Sequence, residues 1–517
     1  MRRLRIGILD LVTRNARPSL YGRLMNPQFT SIMPQAIAVW CEQEGHEVTL
    51  ATYTGREDVL NVLPDDLDVV FIGAFTEAAH LAYALSNLFR MRGAVTVLGG
   101  PHARCYPEDA ARFFDYVLGF TDRDLVAELL REASPHRPEG RQMSASGQPD
   151  ELPSLAERWR FVEQALAKAP PFLKSVPMIG SLGCPYTCAF CIDSTVAYQP
   201  LSFARLRDDL AFLVTKVKNP IIAWHDPNFG VRFDDYMQAI EASGSVGRVR
   251  HVVESSLSLL GEPRLKRLRD VGCRAVLPGI ESWFDLGNKA KTRETGMDKV
   301  RLVADQVNTI LRYIPYIQTN FVLGLDGDEG PEPFELTRRF LDLAPGAFPG
   351  YSMLTAYGRA APANLAYQRA GRVLPFPFHF LNNCHAMNVR PKHYGWTEFY
   401  DHLIALARYS FSPRAIARRV PATRTVIPKW LNVLRATSSE GWGRIRYQQT
   451  VRRLLDTDRS VRAFMEGESD VLPEFYAARI RRELGPAYHF LPPGALEHDP
   501  NAFLRAAAVA TPVAEPA

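Results

Sequence analysis

The sequence predicts an α/β protein in four stretches: an N-terminal doubly wound parallel sheet over 1–132, a linker over 133–158, a partial (β/α) barrel over 159–375, and a helical, basic C-terminal region over 376–517. Three observations carry that reading. Short apolar runs alternate with helix-length amphipathic stretches in two successive series, the pattern of parallel sheets with crossover helices. A stretch rich in Pro, Gly, Ser and charge separates the series. Beyond about Pro375 the strand-sized runs give way to helical, basic sequence.

In the first series, apolar runs at 6–11, 47–51, 69–72 and 95–98 are read as strands, with helix-like stretches at 33–44 and 78–91 between them. Such a Rossmann-like sheet binds ligands at the carboxyl ends of its strands. The turn Gly99-Gly100-Pro101-His102 stands at one such end, either as a ligand loop or as a tight turn that needs glycine. The second series has strand-like runs at 178–181, 221–224, 252–255, 275–277 and 317–323, and a helix-like stretch at 206–217. A β-then-α series of this length suggests a full or partial TIM-like barrel with its chemistry at the carboxyl-terminal face. The Ala- and Pro-rich stretch 506–517 reads as a frayed tail.

Composition excludes several classes. Of 517 residues, 46% are hydrophobic and 23% charged, which is ordinary globular usage and rules out disordered, collagen-like and coiled-coil chains. A net charge of +5 over this length gives no sign of nucleic-acid binding. No apolar run approaches the ~20 residues of a spanning helix. Residues 1–12 carry basic groups before an apolar run that Asp10 interrupts, which predicts a first strand in a cytoplasmic protein. Seven cysteines without a secretion signal argue for metal or catalytic use of some.

Three of those cysteines form one cluster, Cys184-Pro185-Tyr186-Thr187-Cys188-Ala189-Phe190-Cys191, directly after the first strand of the second series. A helix would place thiols four and three apart on one face, so three buried cysteines are one reading. Gly183 and Pro185 favour a loop, and three thiols this close suit a shared metal. Zinc would need a fourth donor, for which His225 and Cys273 are the candidates. Three thiolates also suffice for a [4Fe-4S] cluster with one iron left open.

The C-x3-C-x2-C spacing with Phe190 before the last cysteine resembles the signature of the radical S-adenosylmethionine (SAM) superfamily. The resemblance implies that Cys184, Cys188 and Cys191 hold the cluster, that SAM chelates the open iron, and that Phe190 packs near the adenine. Later strand ends agree with it. Asp226 lies in the loop after the second strand, Glu254 and Ser255 end the third, and Gly279, Glu281 and Ser282 match the fourth-strand motif near the ribose or amino acid end. Leu323 and Gly324 match the fifth strand, whose backbone lies against the adenine.

Joined to such a barrel, the first domain resembles the cobalamin-binding domain of cobalamin-dependent radical SAM enzymes. That implies corrin contacts from Gly99, Gly100, Pro101 and His102, and from Gly73 and Thr76 at a second strand end. There is no Asp-x-His-x-x-Gly motif, which leaves the lower cobalt ligand open, and Gly119-Phe120-Thr121-Asp122 replaces a Gly-Glu-rich turn.

The resemblance implies reductive cleavage of SAM to a 5′-deoxyadenosyl radical, hydrogen abstraction from an unactivated carbon, and methyl transfer from cobalamin to a natural product, lipid or other small molecule. The alternatives are radical cyclisation, ring rearrangement or carbon–carbon coupling, with or without cobalamin, and a non-catalytic iron–sulfur sensor. An external electron donor such as flavodoxin or ferredoxin is implied. Residues 390–459 carry 14 Lys plus Arg against 5 Asp plus Glu, with Trp430 and Trp442 among them. That segment is either a cap packed on the barrel or a surface for an anionic substrate or a membrane. Cys41, Cys105, Cys273 and Cys384 read as structural thiols, and Cys384 alone also reads as a hydrogen donor late in the barrel.

Overall fold

The computed structural model describes residues 2–11, 30–170, 173–284, 294–502 and 504–505. Its first sheet contains β1 (Arg5–Leu11), β2 (Glu47–Tyr53), β3 (Val69–Gly73), β4 (Val95–Gly99), β5 (Tyr116–Leu118) and β6 (Arg141–Met143). All six are parallel in the order β2-β1-β3-β4-β5-β6, with the switch in order beside β1. Successive residues of one strand point to opposite faces. Ile6 and Ile8 therefore enter one core with Phe71 and Val97, while Leu9 and Leu11 enter another with Ile72 and Leu98. Both faces are covered, as a parallel sheet requires.

The second sheet contains β7 (Ser175–Met178), β8 (Ile221–Trp224), β9 (Arg250–Val253), β10 (Cys273–Val276), β11 (Gly279–Glu281), β12 (Tyr316–Leu323) and β13 (Phe348–Met353). They run parallel in the order β11-β12-β10-β9-β8-β7, with β13 on the other side of β12, and form a partial barrel. β10 and β11 both pair with β12, and Pro278 between them cannot donate to the ladder.

Three sequence expectations change. The segment 133–158 is not a free linker, because Arg141–Met143 extends the first sheet and the helix Leu155–Ala167 begins within it. β7 and β9 each end earlier than the runs 178–181 and 252–255 predict, and Ser181–Leu182 instead pairs antiparallel with Gln199–Pro200 outside the barrel sheet. The last barrel strand, β13, was not singled out by the sequence.

Helices Trp396–Ser410, Pro413–Ala422, Val426–Thr437, Arg444–Thr457, Arg459–Glu466 and Glu474–Leu484 follow. Beyond them the chain returns to the first domain, where Asn87 Nδ2 donates to Phe490 O at 2.9 Å and Arg112 donates to Gly494 O and Glu497 O. The stretch 506–517 lies outside the described residues. Among the described residues no helix is long and apolar enough to cross a membrane.

Candidate functional site

The three clustered cysteines lie on one irregular loop between β7 and the helix Phe203–Lys216, not on a helix face. Gly183 opens the loop at φ +68, where an added Cβ would stand 2.4 Å from Ala197 O, so only glycine fits. Cys184 and Cys188 are buried and Cys191 is half-buried. Cys191 N–H donates to Cys188 O at 3.0 Å and Ser194 Oγ donates to Cys191 O at 2.7 Å, which closes the turn that carries two of the thiols. Phe190 is half-buried against the core.

The part of this loop around Cys191 is tied to other parts of the molecule. Arg104, on the helix Pro101–Cys105 of the first domain, donates to Ile192 O at 2.9 Å and approaches Asp193 at 3.6 Å. Ala363 N–H donates to Ala189 O at 2.9 Å. Arg104 was missed from the sequence, and its only signal was its place just after the double-glycine turn.

Among the described residues no three His, Cys, Asp or Glu side chains converge on a single-ion site. A mononuclear zinc needs donors that meet at one atom. In a four-iron cluster each thiolate binds a different iron, so its ligands stand apart on one loop. Cys273 opens β10 at the amino-terminal end of the barrel, away from the loop that follows β7, and burial pushes its thiol up to about 12. His225 follows β8 on the loop's side of the barrel.

Asp226 takes a different role from the expected cofactor contact. Its carboxylate accepts from Gly180 N–H at 3.1 Å and from Ser181 Oγ at 2.8 Å, and the Tyr236 hydroxyl donates to it as well. Burial pushes this carboxyl up to about 6, against the pull of those hydrogen bonds. Asp226 is a positioning residue that holds the segment leading into the cysteine loop. Gly180 is required there, since an added Cβ would meet the Tyr236 ring at 2.4 Å.

The remaining strand ends gather at the same barrel face. Glu254 is exposed just after β9, and Ser255 is buried beside Gly230, whose added Cβ would meet its hydroxyl at 2.5 Å. Glu281 ends β11 at φ +65, unusual for a residue with a side chain, and its carboxylate lies over Gly279, where an added Cβ would be 2.0 Å from Oε1. Ser282 is buried and accepts from Phe284 N–H at 3.2 Å. Gly324, at φ +85 after Leu323, donates its N–H to Asp328 at 2.9 Å. Gln318 and Asn320 share one half-buried face of β12, 2.6 Å apart.

The first sheet faces this barrel across a cavity of about 490 Å³. Its walls on one side are Asp10, Gly73, Phe75, Gly99, Gly100 and Pro101, at strand ends, and on the other Ser175, Pro177, Ile179, Ala223 and His225. At Gly100, φ +94 and a backbone approach to Ala74 (2.9 Å from an added Cβ) leave room for glycine alone, whereas an added Cβ at Gly99 would meet nothing within 4 Å. Asp10 accepts from Ser31 N–H at 2.6 Å and from Ser31 Oγ at 2.8 Å.

Two expected corrin contacts do not face the cavity. His102 is fully buried, with Nε2 2.7 Å from the Tyr83 hydroxyl, which donates to Asp109 at 2.7 Å, and its ring packs on Phe378. Thr76 is buried beneath the strand end beside Cys105. The helix Pro101–Cys105 turns His102 toward the core and the short 3-10 turn Thr76–Ala78 does the same for Thr76, directions that the motif does not encode.

The basic segment packs on the barrel. Arg435 donates to Tyr316 OH at 2.7 Å and Gln318 Oε1 at 2.6 Å while pairing with Glu440 at 2.6 Å, and Trp442 Nε1 donates to Phe411 O at 2.8 Å. Cys384 lies in the turn that meets the carboxyl end of β13, where Met353 N–H donates to Asn383 O at 2.7 Å, and burial pushes its thiol up. Cys41 and Cys105 are buried thiols, likewise pushed up by burial.

No family model matches the chain. It is 27% identical over 228 residues to the bacteriochlorophyllide d C-8(2)-methyltransferase of Chlorobaculum tepidum, a match covering 42% of this chain and half the length of that relative. It is 22% identical over 370 residues to the bacteriochlorophyllide d C-12(1)-methyltransferase of the same organism, covering 70% of this chain and 79% of the relative. Among solved structures it is similar to the radical SAM methyltransferase TsrM of Kitasatospora setae with cobalamin and a four-iron cluster bound, at a TM-score of 0.52 and 14% identity over 72% of this chain and 76% of that one. TsrM with tryptophan and a SAM analogue gives the same score, over 72% and 77%. In sequence the chain is similar to two bacteriochlorophyllide methyltransferases, and in fold to a radical SAM methyltransferase solved with cobalamin and a four-iron cluster bound.

Proposed function

We propose that this protein is a cobalamin-dependent radical SAM methyltransferase that methylates an unactivated carbon of a small molecule. The observation that carries the reading is the shared cavity. Glycine-rich ends of a doubly wound sheet face the interior of a partial barrel whose first loop bears three cysteines. The names of both curated relatives, and of the similar solved structure, are those of methyltransferases.

The residues present fit the groups this chemistry needs. Cys184, Cys188 and Cys191 supply a thiolate donor set on one loop, and thiolates are the preferred ligands of such clusters. Gly73, Gly99 and Gly100 line the strand-end side of the cavity, and a Cβ at Gly99 would meet nothing within 4 Å, which suits the close approach of a macrocycle. When bound, the cluster supplies the electron that splits the SAM sulfonium, and cobalamin supplies the methyl group.

The chain's own part is positioning and exclusion of water. Asp226, through Gly180 and Ser181, fixes the approach to the cysteine loop, and Arg104 ties that loop to the corrin side of the cavity. Glu281, held at a backbone angle that costs free energy, and Glu254 offer carboxylates to the amino acid or ribose end of SAM. Leu323 and Gly324 offer backbone to the adenine, beside Phe190. The apolar wall of Pro177, Ile179 and Ala223 keeps the reacting carbon dry, with His225 as the polar group on that side. Electrons come from an external flavodoxin or ferredoxin.

The test is anaerobic reconstitution with iron, sulfide and hydroxocobalamin, followed by desalting and incubation with SAM and a strong chemical reductant. Retention of one corrin per chain together with formation of S-adenosylhomocysteine and 5′-deoxyadenosine supports the reading. SAM cleavage with loss of the corrin overturns methylation and favours cyclisation or rearrangement.

A further inference from the structure

We propose that the first two turns of the helix Val426–Thr437 dock the protein on an anionic lipid surface. This goes beyond the reaction at the barrel and does not depend on it.

Most of the basic C-terminal segment is spent internally, but one face is not. Val426, Ile427 and Trp430 are 67%, 71% and 70% exposed. They stand at i, i+1 and i+4, so they form one apolar patch on the start of a helix. Trp442, in the same segment, is less exposed at 39% and has its indole N–H held by Phe411 O. Arg424 precedes the patch and Lys429 sits within it, and neither forms an ion pair among the described residues. Residues 402–439 contain seven Lys plus Arg and no Asp or Glu. An exposed Trp and Ile flanked by unpaired cations and no acids is the composition of an interfacial helix, whose ring lies at the headgroup level while the cations meet anionic lipid.

Position in the fold selects among occupants. Arg424 Nη1 donates to Arg312 O at 3.0 Å and Arg419 Nε donates to Ala347 O at 3.1 Å. Arg312 and Ala347 precede β12 and β13, so the patch lies at the amino-terminal end of the barrel strands. The cysteine loop follows the carboxyl-terminal end of β7, on the opposite face. An electron donor docked at the patch would be far from the thiols, and a two-fold contact with a second copy would set the same cations against each other. A lipid surface suffers neither objection and leaves the barrel mouth open.

The experiment is co-sedimentation of the full chain with vesicles of phosphatidylcholine alone and of phosphatidylcholine containing phosphatidylglycerol, with tryptophan emission recorded in parallel. The expected result is binding to the anionic vesicles only, weakened by salt and accompanied by a blue shift that Trp430→Ser abolishes. Ile427→Ser with Trp430→Ser, and Arg424→Glu with Lys429→Glu, are each expected to weaken binding by about tenfold. Val471→Ser, at an isolated residue that is 76% exposed, is the control expected to bind as the parent does. Unchanged circular dichroism establishes that the variants fold. No binding to anionic vesicles, equal binding to both vesicle types, or a dimer that the Trp430→Ser change dissociates would each overturn the proposal.

Discussion

The carboxylate of Asp226 accepts the backbone N–H of Gly180 at 3.1 Å, which ties the loop after β8 to the segment between β7 and the cysteines. Because the Ser181 and Tyr236 hydroxyls share that carboxylate, its removal takes an acceptor from three buried donors, of which the Tyr236 hydroxyl keeps Ser181 Oγ at 3.2 Å. Asp226→Ala is expected to cost about 2–4 kcal/mol and to lower the iron and sulfide bound per chain. Asp226→Asn keeps one oxygen and is expected to retain more of the cluster. With the carboxyl at about 6 in the folded chain and 3.8 as its ordinary value, the folded state binds the proton more tightly. Stability from this group therefore falls as pH rises from 3.8 to about 6, and denaturant titrations of Asp226→Asn should lack that component.

Three buried histidines act in the opposite sense. Burial is the main force that pushes His102, His385 and His498 from 6.5 down to about 3, so each is neutral in the fold and takes a proton readily only when unfolded. Stability is lost as pH falls from 6.5 toward 3. Three such groups outweigh one Asp226, so the denaturation midpoint is expected to be lower at pH 5 than at pH 7. An equal or higher midpoint at pH 5 would contradict this.

Glu483 accepts from His379 at 2.6 Å and from Arg479 at 2.8 Å. Burial alone would raise its carboxyl, but these two partners hold it down at about 2. Its contribution is present above 4.5 and lost as pH falls from there to about 2. Glu483→Gln leaves the Arg479 guanidinium without its carboxylate and is expected to cost about 3 kcal/mol at pH 7, read as a lower Tm.

Gly99 and Gly100 separate packing from ligand space. A methyl at Gly100 would press on the backbone of Ala74 at a positive φ, so Gly100→Ala is expected to destabilise the fold by about 1–2 kcal/mol. A Cβ at Gly99 would meet nothing within 4 Å, and Gly99 lines the cavity. Gly99→Leu is expected to fold as the parent does and to retain several-fold less cobalamin after desalting. Undiminished retention would place the corrin elsewhere.

Much of the backbone was legible because strand period and turn chemistry are local. The run 221–224 is β8 residue for residue, and the helix-like stretch 78–91 differs from Ala79–Met91 at one end only. β13 was overlooked because Phe348-Pro349-Gly350 reads as a turn, and it becomes a strand only by pairing along β12. β6 is three residues in a polar stretch, too short to show a period.

Side-chain direction was far less legible. Asp226 sits in the loop after β8 and His102 on the short helix after β4, in segments whose residue types suit ligands, yet neighbours distant in sequence, Tyr236 and Tyr83, take their polar groups. The basic segment divides in the same way. Arg435 is consumed by Gln318 and Glu440 because the barrel edge lies beneath it, whereas Trp430, five residues earlier on the same helix, faces outward.

The central claim is that Cys184, Cys188 and Cys191 together hold a four-iron cluster beside a corrin cavity. The most direct measurement is iron and sulfide per chain after anaerobic reconstitution of the parent and of Cys188→Ala. The account predicts about four of each in the parent and a large loss in the variant, with the fold kept in both. A full complement of iron and sulfide in Cys188→Ala would contradict it.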